Sequence, residues 1–163
     1  MSTSRPLTDG ERALVRSVFG DAIDCALVSV RRHKWFVFQP RRAVMAPTGN
    51  IHVHPDSEMW SEDYSAEDIQ RQALFLHEMT HVWQTQQRGF FYLPLMRHPF
   101  CRYGYRLKPG LRFEDYGLEQ QGEMVRHLHL RRHGAGPPNA PSLAQLEQIV
   151  PFRRGAPILP TNA

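Results

Sequence analysis

Ser65-Ala-Glu-Asp-Ile-Gln-Arg-Gln-Ala-Leu-Phe-Leu-His-Glu-Met-Thr-His-Val-Trp-Gln-Thr-Gln-Gln-Arg88 runs without a glycine or a proline. Ser65 stands where a helix N-cap should. Glu67 and Asp68 put negative charge in the first turn, where it meets the positive end of the helix dipole. Ile69, Ala73, Leu76, Thr80 and Trp83 recur at helical spacing and make one largely apolar stripe. Arg88 and Gly89 supply a basic last turn and a stop. The stretch predicts one long helix with a buried face.

Inside that helix stands His77-Glu78-Met79-Thr80-His81. Residues four apart lie one above the other on a helix, so both imidazoles can reach one metal ion. Glu78 projects about 100° around from His77, so it borders the ion without binding it. Neutral imidazole suits Zn²⁺, and a carboxylate beside a metal-bound water suits a general base. With nine His and nine Glu in the chain, chance supplies this pattern in roughly 3% of shuffled sequences. The bland reading is a helix with two histidines on a solvated face, and it leaves Glu78 between them without a reason.

Downstream, residues 89–110 carry Pro94, Pro99, Pro109 and many aromatics, which reads as a long packed loop with room for a helical turn. A second long helix is expected from about Asp115 to His133, stopped by Gly134. It carries Glu119-Gln-Gln-Gly122-Glu123, whose two carboxylates share one face. Two Glu at this spacing are more often a solvated acidic face. Beside a pair of histidines in need of a third ligand, we assign Glu119 to the metal. Glu123 is assigned as the carboxylate that accepts from a ligand histidine and fixes its orientation. Gly122 between them lets the two helices approach closely. Ser142–Ile149 predicts a short helix, and the tail from about residue 150, with Pro151, Pro157 and Pro160, reads as extended or flexible.

Upstream, Thr8–Phe19 predicts an amphipathic helix capped by Thr8 and stopped by Gly20, with residues 1–7 extended or flexible before it. Ala26–Val30, Trp35–Gln39 and Ile51–His54 read as strands, Ala43–Ala46 as a short apolar piece, and Pro47–Asn50 as a turn. No repeat or second domain is visible, so residues 1–163 are expected to form a single α+β domain.

Composition sets the outer limits. At 163 residues, 41% hydrophobic and 22% charged, the chain can bury a core without disulfides and is not a disordered tail. No window approaches about 18 uncharged apolar residues, so no membrane partner is expected. No signal peptide is readable, which makes the cytoplasm the default location, with export by a signal-independent secretion system as the other route. Cys25 and Cys101 belong to no CxxC and read as reduced thiols. The net charge of +4 comes mostly from scattered Arg pairs, a weak signal that gives no reason to expect nucleic acid as a partner.

His77-Glu78-x-x-His81 followed by Glu119-x-x-x-Glu123 resembles the gluzincin metallopeptidases, the thermolysin-like group. Leu76–Gln84 together with Tyr116–Gln121 is similar to the small zincin-like domains found with bacterial Rhs and Vgr secretion proteins. The resemblance covers Asn50–His133. It implies a minimal zincin-like core: a small twisted sheet packed on the His-Glu-x-x-His helix and on a second, glutamate-bearing helix. It implies one Zn²⁺ per chain on His77, His81 and Glu119, and Glu123 (Glu where the family often has Asp) supporting a histidine. It also implies an edge strand, expected at Ile51–His54, that binds extended substrate by strand addition.

The activity so implied is hydrolysis of peptide bonds, with Glu78 as general base and a peptide or protein as substrate. A role as a secretion-system-associated effector, with secretion-system components as partners, goes with it. The alternative is a non-catalytic zinc-bearing module of a secretion apparatus. The donor that would stabilise an oxyanion or contact substrate is left open among Tyr105, Tyr116, His98 and His127. His52 and His54 alternate on a strand and read as a partly solvated face rather than a second metal site.

Overall fold

A computed structural model describes residues 4–96 and 101–152, in which four short strands and five helices surround one core. Strand β1 (Ser4–Pro6) pairs antiparallel with β2 (Ser29–Arg31). β3 (Val44–Met45) pairs antiparallel with β4 (Ile51–Val53), and β4 runs parallel to β2. The resulting order is β1-β2-β4-β3, a small mixed sheet. The helices are α1 (Asp9–Phe19), α2 (Ile69–Arg88), α3 (Tyr92–Met96), α4 (Leu118–Arg132) and α5 (Leu143–Ile149). This is an α+β fold, as the sequence predicts.

α1 begins in a capping box. The Thr8 hydroxyl accepts from Glu11 N at 3.0 Å, and Glu11 Oε2 accepts from Thr8 N at 2.9 Å. Helix α2 starts three residues later than Ser65 suggests. Asp68 is its N-cap, accepting from Gln70 N and Arg71 N, because Ser65 is held in a preceding 3₁₀ turn by Asp63. It ends at Gly89, whose φ of 96° needs a residue without Cβ. From Phe75 to Val82 every residue is buried, which places the histidine motif in the interior. α4 likewise starts at Leu118 after a 3₁₀ turn over Phe113–Asp115, so Asp115 is not its cap.

The sheet departs from expectation in four places. Trp35–Gln39 is not a strand; it forms part of the connection between β2 and β3. Ile51–Val53 is not the edge strand. It lies between β2 and β3, so the edge on that side is β3. His52 and His54 are therefore buried rather than solvated: His52 meets the Trp35 ring edge-on, and His54 Nδ1 accepts from Asp56 N at 3.0 Å. At the N-terminus, residues 4–6 are a paired strand and Leu7 is buried.

At the other end, Phe152 packs against Phe19, Trp83 and Phe113 with ring centroids 4.7–5.7 Å apart, so that part of the expected loose tail belongs to the core. Residues 153–163 lie outside the described residues. Cys25 and Cys101 are each partly buried. No described helix is long and apolar enough to cross a membrane.

Candidate metal centre

α2 and α4 lie side by side, and their facing surfaces meet at His77, His81 and Glu119. The approach depends on Gly122. A Cβ there would fall 2.7–2.9 Å from three atoms of the His77 ring, closer than real carbon contacts permit.

The three side chains converge through one atom each. His77 Nε2 and His81 Nε2 are 3.2 Å apart, and each is 3.2 Å from Glu119 Oε2. All three residues are at least 95% buried. A tetrahedral zinc with bonds of about 2.0–2.1 Å keeps its ligand atoms about 3.3 Å apart, so this triangle fits a zinc ion in size and in donor chemistry. The surroundings also favour positive charge. Burial pushes the His77 imidazolium down, but the Glu119 and Glu123 carboxylates outweigh it and lift its pKa to about 9.

Each histidine is held from behind. His77 Nδ1 lies 3.0 Å from Glu123 Oε1, the contact assigned to Glu123 from the sequence. Glu123 in turn touches His127 Nε2 at 3.5 Å and Arg126 at 3.5 Å. His81 Nδ1 donates to Gln84 Oε1 at 2.8 Å. Gln84 Nε2 donates to Gln121 Oε1 at 2.9 Å and to Leu118 O at 3.1 Å, and Gln121 Nε2 donates to Tyr116 O at 2.8 Å. That series ends on a backbone carbonyl, which can only accept. Its direction is therefore fixed back to His81, whose Nε2 lone pair faces the centre.

Glu78 is buried at the rim and lines a cleft together with His77, Glu123, Tyr103, Phe36 and the edge strand β3. A roomier concavity lies between residues 107–114 and α5, but it contains none of the converging ligands.

The residues proposed as further contacts fall elsewhere. Tyr105 bonds His127 Nδ1 through its hydroxyl at 2.9 Å, and burial pushes that hydroxyl's pKa up. Tyr105 and His127 thus extend the chain behind Glu123 rather than lining the cleft. Tyr116 accepts from Lys108 N at 2.9 Å and is spent on the loop. His98 lies outside the described residues. Two further residues stand at the site. Tyr103 stacks on the His77 ring, centroids 6.2 Å apart, and is the phenol that lines the cleft. Gln84 braces His81; its spacing of three residues from His81 on one helix was the available signal.

Fold and site together define a small α+β domain built around a His-His-Glu cluster able to hold a metal ion. The chain is 37% identical in sequence to the effector domain of Pseudomonas aeruginosa VgrG2b, with a TM-score of 0.71, over 88% of this chain and 80% of that one. It therefore belongs to the VgrG2b effector-domain family. It is also 40% identical over 145 residues to the type VI secretion system spike protein VgrG2b of P. aeruginosa. That match takes in 85% of this chain and only 14% of the spike protein's length. No family model matches the chain.

Proposed function

We propose that this domain is a zinc-dependent peptidase and the effector portion of a type VI secretion spike. The observation that carries the reading is the convergence of His77 Nε2, His81 Nε2 and Glu119 Oε2 at 3.2 Å, with Glu78 beside them on an open cleft. The family relationship supports the effector role and makes spike components the expected partners, with export through that apparatus.

A zinc ion held by the three residues would supply Lewis acidity, lowering the pKa of a water and polarising a substrate carbonyl. Glu78 takes the proton from the attacking water and passes it to the departing amine. Glu123 and Gln84 keep the two imidazoles aimed inward while this happens. β3 borders the cleft as an edge strand, so an extended peptide can pair with its backbone and lie across the site. Tyr103 lines the same cleft, and we assign its phenol to the polarised carbonyl.

Glu78→Gln is the test. Metal analysis of the purified variant should still give about one zinc per chain. Hydrolysis of a peptide library should fall by about a thousandfold, within the range expected for loss of a general base. Unchanged turnover would remove Glu78 from the chemistry. Zinc binding without hydrolysis by the parent protein would leave the domain a non-catalytic zinc module.

A further inference from the structure

Residues 31–42 read Arg-Arg-His-Lys-Trp-Phe-Val-Phe-Gln-Pro-Arg-Arg, an apolar run between two basic clusters with no acidic residue. A run of this kind predicts a buried strand, yet Trp35, Phe36, Val37 and Phe38 are 41, 43, 77 and 86% exposed. The loop that presents them is a built structure. Gln39 is buried beneath it, accepting from Trp35 N at 2.7 Å and donating to Ala43 O at 3.0 Å. The Gln39 backbone N–H closes the turn onto Phe36 O at 3.1 Å. The Trp35 ring rests on His52 of β4. The fold thus holds Val37 and Phe38 out in water, at a hydrophobic cost that an isolated domain does not recover.

We propose that this loop docks the domain on the surface of a bilayer rich in anionic phospholipid. Val37 and Phe38 enter the boundary between headgroups and acyl chains, and Arg31, Lys34 and Arg41 lie at the level of the phosphates. The arrangement favours lipid over a protein partner. The apolar side chains lead at a turn, and the cations flank them on both sides in sequence, which matches an apolar layer beneath a sheet of negative charge. A protein partner would have to supply an apolar socket ringed by acids. Two inserted side chains bind weakly alone, and the cations provide the second signal that stable attachment needs. Phe36 belongs both to this loop and to the cleft wall, so docking brings the cleft mouth to the membrane. Attachment of this kind requires no spanning helix, and it does not depend on the peptidase reading, because vesicle binding is measured without turnover.

The test is co-sedimentation of the purified chain with vesicles of phosphatidylethanolamine and phosphatidylglycerol, compared with phosphatidylcholine alone. The parent should partition onto the anionic vesicles, and Val37→Asp/Phe38→Asp should reduce partitioning about tenfold or more. Arg41→Gln should reduce it about fivefold on anionic vesicles and leave phosphatidylcholine unaffected. Because Val37 and Phe38 are exposed, an unchanged circular dichroism spectrum and melting curve should accompany the loss. Equal binding by the double variant, or no binding by the parent at low salt, overturns the proposal. A dimer of the parent that the double variant abolishes without lipid also overturns it, by assigning the loop to a second copy of the chain.

Discussion

Glu11, in the first turn of α1, and Glu119, in the first turn of α4, are both carboxylates sealed from water. Glu11 is met by a full set of the chain's own donors. Arg5 grips it with two bonds of 2.7 and 2.8 Å, and the backbone N–H groups of Thr8 and Tyr64 add one each at 2.9 Å. Glu119 instead faces two imidazole nitrogens, whose charge depends on what they bind. A buried carboxylate costs several kcal/mol unless a positive group answers it. At Glu11 the answering charge is part of the sequence, and the cluster ties β1 to α1. At Glu119 the two imidazoles can answer it once they carry a proton or share a metal ion. Burial and residue type are the same; the identity of the neighbours separates a structural clamp from a binding site.

The contrast is most exposed by removing one member at each end. Glu119→Ala should take zinc from about one per chain to less than about a tenth, by elemental analysis. Arg5→Met leaves Glu11 buried without its guanidinium. It should lower the free energy of unfolding in denaturant by about 3–5 kcal/mol while zinc content stays at parent level. If Arg5→Met lost zinc instead, the two clusters would not be separable.

A smaller effect is expected at Gly122. Gly122→Ala pushes the His77 ring off its line and should weaken zinc affinity about 10–100-fold, the range seen when a ligand's support is disturbed; titration against a chelator measures it.

A pH-dependent effect concerns His129, which shares a bond of 3.1 Å with Gln72. Burial, then His133 and Arg132, depress its pKa to about 4 from an ordinary 6.5. The unfolded chain therefore binds the proton first, and stability is lost as pH falls from about 6.5 towards 4. His129→Gln should flatten that part of a plot of melting temperature against pH.

What could be read in advance was local. α2 and α4 announce themselves by periodicity and end signals, and the pairing of His77 and His81 with Glu119 and Glu123 follows from residues four apart on two helices. Long-range choices were not legible. Ser4-Arg5-Pro6 has no strand character, and it becomes β1 because Arg5 reaches Glu11 and the backbone pairs with β2. Ile51–Val53 looks the same whether central or at an edge; only the parallel pairing with β2 decides. The Trp35–Phe38 run has strand composition, but the Gln39 side chain binds the backbone on both sides of it and turns it outward. Tyr103 carries no signal at all until its ring is seen stacked on His77.

The two histidines look interchangeable in the motif, yet their outer nitrogens end on different chemistry. His81 leans on the neutral amide of Gln84, whereas His77 leans on the anionic oxygen of Glu123. A negative neighbour enriches the electron density of the whole ring, so His77 is the stronger σ-donor of the pair and His81 the weaker. An ion held by these residues would therefore be met by two unequal imidazoles, the more basic one from His77.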